Sequence, residues 1–336
     1  MNRRTKEELI VVGIILSILF VLAFTLRFFQ FKREQQSLSN AFKDSLVWLT
    51  SIPETENIES FRIGKYPVSN SQYKKFIDDT GAKAPKYWQG GMYPEGKEDH
   101  PVVFVSYNDA LAYCEWLEQK YPGNLFRLPT VEEWEYAASG GKDQAFPWGN
   151  QIADDHFNYN KLVASVYLEK NPTVTYIHPK SSAYGQSMPL NQVISLNQNG
   201  GVSGWIDHKN YTGFVYTDLF KTIMDEGGYT TPVNQYSDGQ SPFGVFDMSG
   251  NVWEWTSTQI VATNGAEKGQ TVYAIKGGSW YANPNSCKIN MSGEGRRPNA
   301  GYNTVGFRVV ATGKKYLNGA LMGFQKSTRN ESNFSS

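Results

Sequence analysis

Three times in the first half of the chain a hydroxyl residue stands three positions ahead of an acid or amide, just before an apolar run: Ser69 and Gln72, Ser106 and Asp109, Thr130 and Glu133. Each pair is a capping box. The hydroxyl accepts from an unpaired backbone N–H, and the later side chain reaches back to the cap's own N–H. A box supports its helix by about 1 kcal/mol. The first helix runs through Tyr73, Phe76 and Ile77 and stops at Gly81; the second carries Ala110 to Leu117; the third carries Trp134 to Ala138. In each, apolar residues at i, i+3 and i+4 give one buried face. Beyond them Gly, Asn, Ser and Pro are scattered through the second half, which favours irregular structure there.

A second apolar feature precedes all of this. Leu9 to Leu26 is interrupted only by small or hydroxyl residues, and Phe28 and Phe29 extend it. Eighteen residues at helical rise reach ~27 Å, enough to cross a bilayer core. No small-residue cleavage pattern follows, so the run reads as an uncleaved single-pass membrane anchor. Arg3, Arg4 and Lys6 before it balance Arg27, Lys32 and Arg33 after it. The free amino terminus tips the expectation towards an extracytoplasmic domain. The expected organisation is a tail at 1–8, an anchor at 9–28, a polar stalk at 29–44, a domain at 45–312 and a mobile tail at 313–336.

Composition excludes some classes. The formal net charge is zero and charged residues make up 19%, below the ~25% of an ordinary soluble protein. No basic surface is implied, so nucleic acid is not an expected partner. Aromatics reach 14%, enough to build a core in a loop-rich domain. There are two cysteines, Cys114 and Cys287, too few for a disulfide scaffold. Cys114 falls on a helix's buried face and reads as a small hydrophobe.

Several blocks occur in order: Phe61-Arg62-Ile63-Gly64, His100-Pro101-Val102-Val103, Phe126-Arg127-Leu128-Pro129-Thr130, Phe146-Pro147-Trp148-Gly149-Asn150, Gly250-Asn251-Val252-Trp253-Glu254-Trp255, Gly277-Gly278-Ser279-Trp280 and Gly306-Phe307-Arg308. Together they resemble the formylglycine-generating enzyme family, or sulfatase-modifying-factor domain, over residues 45–312. The resemblance implies an α+β, loop-rich, C-type-lectin-like fold whose active or binding face is built by the C-terminal segment. Two departures stand out. Val47-Trp48-Leu49 replaces the family's first strand block. Residues 161–224 form an insertion with strand-like runs at Thr173–Ile177 and Gln192–Leu196; unstructured loops of that length are uncommon.

The resemblance also implies sites. Family oxidases hold copper between two cysteines, at the positions of Ala282 and Cys287; here only Cys287 remains. Copper(I) is soft and suits paired thiolates, so copper is not expected, and Cys287 is catalytic only if the chain is an oxidase. A first family calcium loop aligns with the side chains of Asp247 and Glu254 and the carbonyls of Gly250 and Val252. A second uses Asn158 and Asp225 with the carbonyls of Tyr159 and Gly227. Hard oxygen donors suit calcium, and either site would be structural. Between the last two anchors lie Tyr281, Asn283, Asn285, Ser286, Tyr302 and Asn303, small, polar or Tyr residues of the kind used by adaptable binding surfaces.

Two functions follow as expectations. One is a membrane-tethered binding or assembly module that presents its C-terminal segment to a protein, peptide or glycan. The other is a formylglycine-generating oxidase or a related non-copper oxidoreductase acting on a protein or peptide.

Overall fold

The structure, a computed structural model, describes Thr25 and residues 46–160, 175–177, 187–189, 225–263, 267–291, 293–313, 316–317 and 320–321. The chain divides into two compact units, Met1–Ser45 and Leu46–Ser336. In the first only Thr25 is described; it is helical and exposed. The apolar run Leu9–Leu26 otherwise lies outside the described residues. Among those described, no helix is long and apolar enough to cross a membrane.

In the second unit the capping boxes begin three helices: α1 (Asn70–Thr80), α2 (Tyr107–Lys120) and α3 (Val131–Ser139). Ser69, Ser106 and Thr130 each accept from the backbone of the third helical residue, and Gln72, Asp109 and Glu133 each reach back to the cap. Gly81 and Gly140 end α1 and α3 in the left-handed conformation, which costs glycine little.

One antiparallel sheet has the order β1 (Leu49–Ile52), β2 (Phe61–Gly64), β10 (Val310–Gly313) and β3 (Asn124–Arg127). Val310 lies opposite both Ile63 and Arg127, so the C-terminal strand closes onto the N-terminal half. A second sheet has the order β8 (Gly295–Arg296), β7 (Thr271–Lys276), β6 (Trp253–Val261) and β9 (Val305–Gly306). Its β6–β9 pair is parallel. Two short hairpins, β4 (Thr175–Ile177) with β5 (Ser187–Pro189) and β11 (Tyr316–Leu317) with β12 (Ala320–Leu321), complete the strands described. The run Thr173–Ile177 thus contains a strand; Gln192–Leu196 lies outside the described residues.

Aromatic rings fill the space between helices and sheets. Tyr73 of α1 stacks on Tyr113 of α2 at 5.8 Å, and Phe307 meets Tyr113 edge-on at 5.3 Å. Trp134, Ala137 and Ala138 of α3 pack with Ile63, Met248 and Val310 in a separate cluster. Segment 246–254 and the Gly306-Phe307-Arg308 block are thereby held in the interior, where a polar group needs a partner.

Candidate functional site

Residues 247–251 turn sharply, with Asp247 at φ 54° and Asn251 at φ 60°. Asp and Asn tolerate this left-handed region better than most residues. Asn251 is fully buried and joins four segments. Its Nδ2 donates to Asp247 Oδ2 at 2.8 Å and to the Thr231 carbonyl at 3.0 Å. Its Oδ1 accepts from the Thr231 N–H at 3.0 Å and from Asn158 Nδ2 at 3.3 Å. Its backbone N–H donates to the Asn158 carbonyl at 2.7 Å, and its carbonyl accepts from the Trp280 N–H at 2.8 Å. Asn251 was not singled out by the sequence; its only signal was its place after Gly250 in the turn.

That network settles the orientation of Asn158, which is 1% exposed. Its Nδ2 donates to the Tyr229 carbonyl at 2.8 Å. Its Oδ1 is buried and has no hydrogen-bond donor. Flipping the amide would set oxygen against the Tyr229 carbonyl. An unmet buried carbonyl oxygen is costly, and it is the donor type a hard cation takes. Of the second expected calcium set, Asn158 and Asp225 with the carbonyls of Tyr159 and Gly227, Asn158 thus offers one buried oxygen without a hydrogen-bond donor.

The first set has a different geometry. Glu254 and Arg308 are both fully buried. Arg308 Nε donates to Glu254 Oε2 at 2.5 Å and Nη2 to Oε1 at 2.6 Å; Trp134 Nε1 adds a bond to Oε2 at 2.7 Å. Arg308 also donates to the carbonyls of Gly64 and Phe246. The carboxylate of Glu254 is thus occupied, leaving Asp247 and the carbonyls of Gly250 and Val252 as the oxygens this set offers. Burial pushes the Asp247 carboxyl up to about 8, and the nearby Glu254 charge adds to the rise, against the Asn251 hydrogen bond and the Arg308 charge. Among the described residues no three His, Cys, Asp or Glu side chains converge, so any cation held here depends on amide and carbonyl oxygens.

Cys287 ends a short 3-10 turn, Pro284–Cys287, capped by Asn283, whose Oδ1 accepts from the Ser286 N–H at 3.1 Å. The thiol is buried among Phe146, Phe157 and Tyr159, with Ala282 packed on the same cluster. Burial pushes the thiol up to about 12, against hydrogen bonds from the backbone of Ser279 and Gly250. A Cβ on Gly278 would lie 2.4 Å from its sulfur, so only glycine admits Cys287 there. Ala282 supplies no donor atom on its side chain. This arrangement fits one neutral, packed thiol and does not fit a two-sulfur copper clamp. Cys114 is also buried, its thiol raised by burial above the usual range, and both cysteines are free.

The six candidate ligand residues divide by contact. Tyr281 packs against Trp280 at 5.4 Å, and Trp280 Nε1 donates to the Asn303 carbonyl at 3.3 Å. Tyr302 lies under the Arg296 guanidinium at 5.7 Å. Asn283 and Ser286 serve the 3-10 turn, and Asn285 at its tip is exposed. Trp280 thus ties the Tyr281 end of the segment to the Asn303 end.

A mixed α/β domain with few helices, a Trp-Glu-Trp strand locked to a Gly-Phe-Arg block and a single buried cysteine in its C-terminal segment defines a formylglycine-generating-enzyme-like class. The chain belongs to the sulfatase-modifying factor enzyme 1-like domain family, whose pattern matches residues 32–209 and 203–313. It is 26% identical over 306 residues to the formylglycine-generating enzyme of Mus musculus, covering 76% of this chain and 66% of that protein. It is 28% identical over 222 residues to the inactive C-alpha-formylglycine-generating enzyme 2 of Bos taurus, covering 64% of this chain and 51% of that one. The chain thus spans about two thirds or less of these relatives' length. Among solved structures, PvdO from Pseudomonas aeruginosa aligns with TM-score 0.46 and 20% identity, over 79% of this chain and 90% of that one.

Proposed function

We propose that this chain is a membrane-anchored, C-type-lectin-like member of its family that works as a binding or assembly module, with its C-terminal segment facing a protein, peptide or glycan on the extracytoplasmic side. One observation carries the reading. At the copper position Cys287 stands alone, buried and protonated at neutral pH, with Ala282 beside it. Low-coordinate copper(I) favours opposed soft donors, and a thiol must lose its proton to ligate. The family includes a relative named as inactive, so membership alone does not require the oxidase reaction.

In this reading Tyr281, Asn283, Asn285, Ser286, Tyr302 and Asn303 form the capture face. Calcium is a structural ligand, held through Asn158 Oδ1 and Asp225 with the carbonyls of Tyr159 and Gly227; Asp247 with the carbonyls of Gly250 and Val252 offers a second position. Calcium would supply charge to Asn158 Oδ1, which otherwise lacks a donor, and no chemical step.

The test is a copper(I) titration of the wild type and of Ala282→Cys in competition with a chelator. The wild type yields its copper to the chelator, whereas Ala282→Cys retains it. Equal, tight retention by the wild type removes the reading.

A further inference from the structure

Beside the C-terminal segment, but built mainly by other elements, lies an open cleft of about 270 Å³. Tyr73, Lys83, Lys86, Phe104, Asp109 and Gly301 contribute to its walls. Three independent features mark it. Tyr73 is 1% exposed, its ring packed on Phe76, Trp88, Tyr113 and Phe307, and it lines the cleft without a hydrogen bond from its hydroxyl to any described residue. A buried phenol usually finds a partner, and the cleft is where this one can meet an acceptor. Phe104 adopts φ 58°, a left-handed conformation unfavourable for a bulky residue. It is held there by its N–H bond to the Tyr302 carbonyl at 2.9 Å and by the close approach of Gly301, where a Cβ would lie 2.3 Å from the Phe104 oxygen. Strain of this kind persists where the surroundings fix it, often at ligand clamps. Finally, Lys86 Nζ lies 4.2 Å from the centre of the Phe104 ring, and Lys83 joins it on the wall.

The cationic side exceeds the anionic one. Asp109 already accepts from the Ser106 N–H at 2.9 Å and hydroxyl at 2.6 Å through Oδ2. Two exposed ammonium groups and a phenolic donor over an aromatic wall suit an anion with an apolar body.

We propose that this cleft binds a carboxylate carried on an apolar group, either a small free acid or an acidic side chain of a bound polypeptide. The carboxylate accepts from Tyr73 Oη and pairs with Lys86, and the apolar body lies against Ala84, Pro85 and Val105 beside the Phe104 ring. The cleft is lined by none of the six capture-face residues, so its failure leaves the capture-face proposal standing, and the reverse holds.

The full-length protein is titrated with phenylacetate, phenylacetamide and an amidated, acetylated Phe-Glu dipeptide, followed by ligand-detected NMR. Saturable binding of phenylacetate or of the dipeptide, and not of phenylacetamide, is expected; which one binds tells a free acid from a polypeptide. Tyr73→Phe keeps the stacked ring and should weaken binding roughly tenfold, the loss of one hydrogen bond to a charged group. Lys86→Gln, at an exposed position, should weaken it as well. No saturable binding of either acid, equal binding of phenylacetamide, or unchanged affinity in both variants overturns the proposal.

Discussion

Glu254 and Arg308 meet as a two-point ion pair, at 2.5 and 2.6 Å, with neither side chain exposed to solvent. The pair ties β6 to the block leading into β10, and so one sheet to the other. Removing one partner of such a pair strands a buried charge, at a cost of about 3–5 kcal/mol. Arg308→Met should therefore lower unfolding stability by about that amount in urea titrations. Adding Glu254→Gln should recover part of the loss, because contacting residues are not additive. A loss below about 1 kcal/mol in Arg308→Met would show that the pair is not closed in solution.

A second buried group sets a pH dependence. His100 Nδ1 lies 2.9 Å from Thr230 Oγ1 and 3.5 Å from Lys97 Nζ. Burial, with the Lys97 charge, lowers its pKa from 6.5 to about 3. The unfolded chain thus takes up the proton first. The stabilisation is complete above pH 6.5 and is lost as pH falls towards 3, by about 1.4 kcal/mol per unit within that window. His100→Gln should flatten the stability profile between pH 6 and 4. An unchanged slope would place His100 in water.

Calcium should raise the melting temperature, since a ligand bound only by the folded state stabilises it by ~2.7 kcal/mol at a hundredfold excess over its dissociation constant. Asn158→Leu should abolish the increment by deleting the oxygen that lacks a donor, and Asp247→Ala should reduce it. Melting indifferent to calcium and to chelator in the wild type would remove calcium from the account.

Topology is tested by protease added to intact cells or spheroplasts. Digestion of residues 45–336 without lysis is expected; full protection until lysis would reverse the orientation.

The helices were legible because a capping box is local: donor and acceptor lie three residues apart, and Ser69, Ser106 and Thr130 all cap as their sequence predicts. The family was legible for the same reason, in short ordered blocks. The use of Glu254 was not. Its partner Arg308 lies 54 positions away and Trp134 lies 120 away, so a carboxylate that reads as a metal ligand by its place in a loop is tied to a guanidinium by the fold. Asn251 was missed likewise, because three of its four side-chain hydrogen bonds run to segments the sequence does not join. Cys287 was legible as an unpaired thiol. Its burial was legible too, and what the fold adds is the absence of room beside Gly278.

The most direct test of the central claim is chemical. The wild-type protein is incubated with copper, oxygen and a cysteine-bearing sulfatase peptide, and the peptide is examined by mass spectrometry for an aldehyde at the cysteine. With Cys287 packed and protonated and Ala282 on the same cluster, no aldehyde is predicted, in the wild type or in Cys287→Ser. Aldehyde formed by the wild type and lost in Cys287→Ser would contradict the binding-module account and establish an oxidase.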